Sequence, residues 1–90
     1  MNDSSDALAE LLTLTLTVDE FGTRFYSNSQ GLWHRVHGPA VIRADGYTSW
    51  WLNGRPHRTT GPAAEWPDGY TSWCLDGKQL TEEEFHERLK

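Results

Sequence analysis

Residues 45–50 read Asp-Gly-Tyr-Thr-Ser-Trp, and residues 68–73 repeat the same six amino acids 23 positions later. The similarity extends in both directions, so that residues 34–54 and 57–77 form two copies of one unit. A fixed period of this length is typical of arrays in which each unit packs on the next one. The repeat therefore has to be interpreted before any single motif.

Each unit reads as two short strands joined by tight turns. Asp45-Gly46 and Asn53-Gly54 favour hairpin turns, because both dipeptides accept the positive φ angles that such turns need. They predict one strand at 40–44 and a second at 47–52. Glycine or proline every few residues disfavours a helix here. We therefore predict a mainly β fold, an antiparallel hairpin meander built from 23-residue repeats.

The segments that flank the repeats have other patterns. Residues 12–18 alternate leucine or valine with threonine and predict a half-buried strand. Residues 6–11 could form a helical turn ahead of it. Thr81 and Glu84 have capping-box spacing and predict a short helix that closes the sheet. The expected segments of one domain, residues 1–90, are a disordered tail at 1–5, an N-terminal hairpin at 12–27, repeats at 28–79 and a capping helix at 81–90.

Composition excludes several classes of protein. The chain has 90 residues, with 13 acidic and 8 basic side chains and a net charge of −5. Its apolar runs are far shorter than the roughly 20 residues that span a bilayer. One cysteine cannot form an internal disulfide or a multi-cysteine metal site. The acidic N-terminus lacks the basic start of a secretory signal, so we expect no such signal here.

Strand alternation divides the aromatic strands into two faces. Thr48, Trp50 and Leu52 share one face of their strand, and the same pattern recurs at residues 71–75. We place Phe25 of the upstream copy on this face as well and predict that the face is the core. A weaker upstream copy, aligned one residue shorter, adds a tyrosine to the other face. The members of that second face are Tyr26, Tyr47, Ser49, Trp51, Tyr70, Ser72 and Cys74.

Two interpretations of the second face stay open. Loops, the helix or a second protomer could cover it, or it could be an aromatic binding surface, since Tyr and Trp supply large, rigid contact area. Positions where the copies differ favour binding, because a position that stacks repeats should recur. Trp51, Trp33 and Arg43 are such positions. The predicted partner-binding residues are Tyr26, Trp33, Arg43, Tyr47, Trp51, Arg58 and Tyr70.

The histidines raise the question of a metal site. His34 and His37 have a spacing that metal ligands can use. His34 and His57, however, occupy the same place in two copies, which favours a role in hydrogen bonding to a turn. Cys74 has no nucleophile signature around it. We predict no catalytic residue, no metal and no cofactor.

One set of residues resembles a known family. Residues 65–69 read Glu-Trp-Pro-Asp-Gly, and with Trp73 and Asp76-Gly77-Lys78 on the 23-residue period they resemble the MORN repeat. Residues 50–63 and the ending at 80–85 resemble small repeat proteins of bacteriophage genomes. The resemblance implies a hairpin meander with a binding or scaffolding role, no enzymatic activity, and a setting in the cytoplasm of an infected bacterium.

The leading hypothesis is therefore a small, non-enzymatic protein-interaction module. It would bind and modulate a host protein, such as a defence or regulatory factor, through its aromatic sheet face. We expect neither a membrane nor a nucleic acid as partner. A nucleotide-sequestering protein is one alternative. A structural, self-assembling protein is another, since residues 12–18 could be a sheet edge that pairs between copies of a homo-oligomer.

Overall fold

The computed structural model describes residues 3–90 and confirms the mainly β fold with a short C-terminal helix. Two helices and nine short strands lie in this range. Their bounds are α1 Asp3–Leu11, β1 Thr15–Val18, β2 Arg24–Ser27, β3 Val41–Ile42, β4 Thr48–Ser49, β5 Trp51–Leu52, β6 Arg55–Pro56, β7 Ala64–Glu65, β8 Thr71–Leu75, β9 Lys78–Leu80 and α2 Glu82–Arg88. Neither helix is long and apolar enough to cross a membrane, as far as residues 3–90 are concerned.

Seven strands form one antiparallel sheet in the order β1-β2-β3-β4-β7-β8-β9, which is the predicted meander. The strands β5 and β6 form a separate two-stranded ladder. The register sets Phe25, Val41, Ser49, Ala64 and Ser72 side by side across the sheet. Directly opposed residues point to the same side of a sheet. We call the side that carries these five residues the aromatic face.

A second layer is made by three hairpin tips that stack on one another. The tips are a bridge between Ser27 and Trp33, the β5–β6 hairpin, and the end of β8 with β9. Gly54 donates its backbone N–H to the Trp33 carbonyl (2.8 Å), and Gly77 makes the same bond to Pro56 (2.9 Å). These bonds recur 23 residues apart, so they are the contacts through which one unit stacks on the next.

Two kinds of turn alternate along the array. Asn53 and Gly54 both have positive φ (50° and 80°), as expected for a two-residue hairpin turn. The Asp45-Gly46 turn differs from the prediction, because only Gly46 has positive φ (104°) and its N–H donates to the Arg43 carbonyl. This turn is the three-residue form, in which glycine takes the left-handed bulge position.

The predicted strand 47–52 is interrupted at Trp50. Its N–H donates to the Ala63 carbonyl in the main sheet (2.6 Å), whereas its carbonyl accepts from His57 in the second layer (3.0 Å). Trp50 is thus the point where the chain leaves one layer for the other, which divides the expected strand into β4 and β5. In the next copy β8 makes the same transition without a break.

Buried side chains occupy both sides of the sheet, which corrects the prediction of a single core face. On the aromatic face Val41, Ser49 and Cys74 are 5%, 3% and 7% exposed. On the opposite face Leu80, which pairs with Trp73, and Phe85 of α2 are buried. The side chains expected to form the core are only half-buried: Phe25, Thr48, Trp50, Leu52, Thr71, Trp73 and Leu75. Alternation sorts residues onto faces but does not reveal which layer covers each face.

The upstream copy is also shifted relative to the prediction. The register pairs Phe25 with Val41 and Val41 with Ser49, so Phe25 is the equivalent of Ser49. Tyr26 therefore takes the place of Trp50, and the two copies align without a deletion. Tyr26 consequently lies on the side opposite the aromatic face.

The N-terminal hairpin forms as predicted, but its first strand is not half-buried. β1 pairs with β2 through the turn at residues 19–22, and all four of its residues are exposed. The helix α1 spans Asp3–Leu11 and so includes residues 3–5 of the segment expected to be a tail, while residues 1–2 lie outside the described range. The carboxylate of Glu10 holds α1 in place by accepting the backbone N–H groups of Val36 and His37.

The helix α2 begins with the predicted capping box. Thr81 accepts from the backbone N–H of Glu84 (3.1 Å), and the Glu84 carboxylate accepts from that of Thr81 (2.9 Å). Leu80 and Thr81 stand 23 residues after His57 and Arg58, so the helix follows directly on the position of another His-Arg corner. It buries Phe85 against Trp73, with ring centroids 4.8 Å apart. The helix therefore covers the surface that a further unit would cover.

Candidate interaction face

The two histidines that recur in register bind the turn of the following hairpin. Nδ1 of His34 accepts the backbone N–H of Asn53 (3.0 Å), and Nδ1 of His57 accepts that of Asp76 (2.9 Å). Asn53 and Asp76 are the first central residues of their turns, both with positive φ. The histidines thus have the turn-binding role that the sequence favoured. Within residues 3–90 no three His, Cys, Asp or Glu side chains are grouped closely enough to hold a metal ion.

Arg58 belongs to the same repeated corner. Its guanidinium lies over the Trp50 ring, 4.1 Å from the centroid. Nη1 donates to the Pro62 carbonyl (3.1 Å) and to the Glu65 carboxylate (3.2 Å), and Nε donates to the Thr60 hydroxyl (3.0 Å). The side chain is 20% exposed. The predicted partner-binding residue Arg58 is therefore placed where it holds the corner of its own unit and joins it to Trp50 of the preceding unit.

Arg35 repeats this arrangement in the first unit, with one difference. It lies over Tyr26, 4.4 Å from the ring centroid, and Nη1 donates to the Pro39 carbonyl (3.3 Å). The position that holds a threonine in the second unit holds His37 here, and its ring contacts Glu10 of α1 (3.3 Å). The buried Nε of Arg35 consequently has no hydrogen-bond partner. Tyr26, another predicted site residue, is covered by this guanidinium.

Four side chains form a continuous row at the turn end of the aromatic face. Tyr47 and Trp66 have ring centroids 5.0 Å apart, and Trp66 and Tyr70 are also 5.0 Å apart. The guanidinium of Arg43 lies 5.1 Å from the Tyr47 centroid. We call these four residues the aromatic row. Tyr70 is 60% exposed, so the row ends in solvent.

The hairpin turns position the aromatic row. The backbone N–H of Arg43 donates to the Tyr47 carbonyl (2.8 Å), which makes these residues the last pair before the turn. Trp66 and Tyr70 form the equivalent pair one unit later (2.9 Å). Closing pairs of neighbouring hairpins lie side by side in the sheet, and their side chains therefore stack in one line.

Asp45 supplies the charge next to this row. Its carboxylate accepts the backbone N–H of Tyr47 (3.0 Å) and pairs with Nη2 of Arg43 (2.6 Å). The Tyr47 N–H, helped by the Arg43 charge, lowers the pKa of Asp45 below its ordinary value of 3.8. An ionised, exposed pair thus borders the aromatic row.

A second group of rings lies at the other end of the aromatic face. Trp33 stacks on Phe25 (5.5 Å) and meets Trp51 edge to face (4.9 Å). The indole N–H of Trp51 donates to the buried Ser49 hydroxyl (2.8 Å). Trp51 is half-buried and helps to cover the sheet, whereas Trp33 is 40% exposed. We call Phe25, Trp33 and Trp51 the tryptophan cluster.

The structure therefore divides the predicted site residues into three groups. Arg43, Tyr47 and Tyr70 come together in the aromatic row, and Trp33 and Trp51 in the tryptophan cluster. Tyr26 and Arg58 lie apart in the repeated corners. Sequence reasoning did not include Trp66, although it is the copy-variable equivalent of Arg43. In the hairpin that turns at Asp68-Gly69, Trp66 stands opposite Tyr70, and this pairing would have placed Trp66 in the aromatic row.

A small recess separates the first two corners. Its volume is about 120 Å³, and it is lined in part by Trp50, Arg35, His57, Arg58 and Thr60. The lining contains two guanidinium groups and no carboxylate. Such a recess has the charge to accept a small anion.

Comparison with known proteins does not assign the chain. No protein-family model matches it, and neither the curated proteins nor the solved structures contain a significant match.

Proposed function

We propose that the protein is a non-enzymatic interaction module that docks a protein partner on its aromatic face. The observation that carries this proposal is the aromatic row. One position of the row recurs in both copies of the repeat, but it holds Arg43 in the first copy and Trp66 in the second. The backbone hydrogen bonds that stack one unit on the next, from Gly54 to Trp33 and from Gly77 to Pro56, belong to the hairpin tips and not to the row.

The chemistry of the row suits protein binding. Tyr, Trp and Arg are the side chains most often found at interface hot spots, because they bury a large area with little loss of conformational freedom. The rings of Tyr47, Trp66 and Tyr70 would supply apolar burial. Arg43 and Asp45 would lie at the polar rim, where they add specificity more than affinity.

The setting of this activity is proposed from the family resemblance. A phage-encoded chain would act in the host cytoplasm, where its partner would be a host protein, such as a defence or regulatory factor. The absence of enzymatic activity is proposed from the use of the polar groups. Asp68 accepts the backbone N–H of Tyr70 (3.0 Å), as Asp45 does for Tyr47, and Cys74 is buried.

Affinity capture tests the proposal. Tagged wild-type protein and a Trp66→Ser, Tyr70→Ser double variant are incubated with bacterial lysate, and the captured proteins are identified by mass spectrometry. Affinity for the strongest partner is then measured with purified proteins. Two hot-spot residues together should account for at least about 30-fold in Kd.

The matched control is Leu89→Ser, since Leu89 is 43% exposed at the C-cap of α2 and outside the aromatic face. It should bind within about twofold of wild type, because surface contacts outside an interface contribute little. Both variants must retain the wild-type circular dichroism spectrum. A folded double variant that captures the same partner with unchanged affinity would remove the aromatic row from the proposal.

The recess between the corners favours a second candidate, the sequestration of a small anionic ligand such as a nucleotide. The two guanidinium groups and the lack of a carboxylate among the residues that line the recess are the observation that supports it. Titration with ATP and with inorganic phosphate should quench the tryptophan fluorescence saturably, and Arg35→Met should abolish the quenching. Absence of any calorimetric signal at millimolar ligand would eliminate this candidate.

A further inference from the structure

Among residues 3–90, no strand pairs with the outer edge of β1, which is therefore an open edge of the seven-stranded sheet. β1 is the first strand in the sheet order and has β2 as its neighbour. Leu16 and Val18 are 51% and 56% exposed, on the side opposite the aromatic face. A free edge with apolar side chains is a template for pairing with another strand.

The hydrogen bonds of the hairpin show which backbone groups point outward. Asp19 donates its N–H to the Thr23 carbonyl (3.1 Å), so this opposed pair is hydrogen-bonded. Bonded and non-bonded pairs alternate in an antiparallel ladder. Leu16 and Val18 therefore belong to non-bonded pairs, and their N–H and C=O groups face away from β2. The bond from Tyr26 to Ala40 on the far side of β2 agrees with this assignment.

The two edges of the sheet are treated differently. Natural sheets protect edges with charged residues, proline, bulges or a covering element. The opposite edge strand β9 carries Lys78 and is contacted by α2. The sequence of β1, Thr-Leu-Thr-Val, has none of these devices. This asymmetry indicates that the β1 edge is used.

We propose that β1 pairs antiparallel with β1 of a second copy of this chain, about a twofold axis at Leu16. In this register Leu16 faces its own copy and Thr15 faces Thr17. Threonines then meet threonines on one side of the joined sheet and apolar residues meet on the other. A strand that matches its own reverse in this way forms a closed, symmetric dimer.

The register also avoids a clash of charges. The paired strands, Thr15–Val18 of each copy, contain no charged residue, and Asp19 lies just beyond them. The two chains nevertheless each carry a net charge of −5. Their overall repulsion is screened by salt, so dimerisation should become stronger as ionic strength rises.

Sedimentation velocity combined with hydrogen exchange tests this arrangement on the full chain. Wild-type protein should change from the 10.3 kDa monomer to a species of twice that mass as its concentration rises. The amides of Leu16 and Val18 should become protected over the same range. The amides of Thr15 and Thr17 should be protected throughout, because they already bond to β2.

Leu16→Lys and Val18→Lys should each keep the chain monomeric, since a lysine on an edge strand opposes pairing. Leu89→Lys adds the same charge at the C-cap of α2 and should dimerise like wild type. The proposal is overturned if the wild-type protein stays monomeric at a concentration of about 0.5 mM, which is on the order of the Kd of a weak dimer. It is equally overturned if folded Leu16→Lys and Val18→Lys remain dimeric, or if dimerisation leaves the Leu16 and Val18 amides unprotected.

Discussion

Replacing Arg58 by methionine tests whether the recurring arginines stabilise the repeat. Methionine preserves an apolar stem but removes the guanidinium, which lies 4.1 Å over Trp50 and donates to Pro62 and Thr60. A hydrogen bond from a charged donor contributes about 1.5–3 kcal/mol, and a partly exposed cation–π contact about 0.5–1 kcal/mol. Because the effects overlap, we expect a loss of about 2–3 kcal/mol in the free energy of unfolding.

The matched substitution is Arg35→Met. Arg35 makes a longer bond, 3.3 Å to Pro39, and its buried Nε has no partner. Removing an unsatisfied buried donor recovers about 1–3 kcal/mol, which offsets most of the lost contacts. Arg35→Met should therefore cost about 1 kcal/mol or less.

Urea denaturation followed by tryptophan fluorescence measures both values. A difference of about 1–2 kcal/mol between the two variants should also appear as roughly 4–16 °C in Tm. Equal losses in the two variants, or an Arg58→Met protein as stable as wild type, would refute this account of the corner. If Arg58→Met left the stability unchanged but abolished partner binding, Arg58 would instead be a partner-binding residue, as the sequence predicted.

Three further predictions concern the end of the array and its turns. Thr81→Ala should lower stability by about 1 kcal/mol and reduce the helical circular dichroism signal, while Thr81→Ser should retain both. The backbone N–H of Thr81 lowers the pKa of Glu84 below its ordinary value of 4.5. This carboxylate therefore stabilises the fold above about pH 4.5, and its contribution is lost as the pH falls through the lowered pKa. In denaturation curves recorded from pH 6 to about 3, Glu84→Gln should lose less stability on acidification than wild type, and an equal loss would contradict this account. Gly77 has a φ of 86°, so Gly77→Ala should cost about 1–2 kcal/mol, with Gly77→Asn measured in parallel and expected to cost less.

Much of the fold can be predicted from sequence because its determinants are local. Asn53-Gly54 and Asp68-Gly69 each mark a turn within a few residues, and the capping box of Thr81 and Glu84 marks the start of α2. The 23-residue period then relates one hairpin to the next. These signals need no knowledge of what lies across the sheet.

The rest depends on contacts that are distant in sequence. Ser49 is buried where the Trp51 indole donates to its hydroxyl, and alternation carries no information about that contact. Tyr26 was misplaced because the weak copy was aligned by residue type, whereas its place is defined by pairing with β3. Leu16 and Val18 were expected to be half-buried because the pattern of β1 shows a face but does not show that the face is uncovered.

The candidate site was predictable only in part, for a related reason. Copy differences marked Arg43 and Trp51, and both lie on the aromatic face. They could not separate a ring that covers the sheet, such as Trp51, from rings that end in solvent, such as Tyr70. Trp66 enters the row through hairpin pairing, which a list of variable positions does not contain.

Because α2 closes the array, the number of repeat units can change without a change in the structure of each unit. Leu80 and Thr81, which precede the helix, stand where the His-Arg corner of a further unit would stand. Residues 80–90 can therefore terminate any array that ends in the same ladder. Inserting one more copy of 57–79 before Leu80 would lengthen the chain by 23 residues and leave both ends unchanged. Evolution or an engineer can thus adjust the span of this surface by duplication alone.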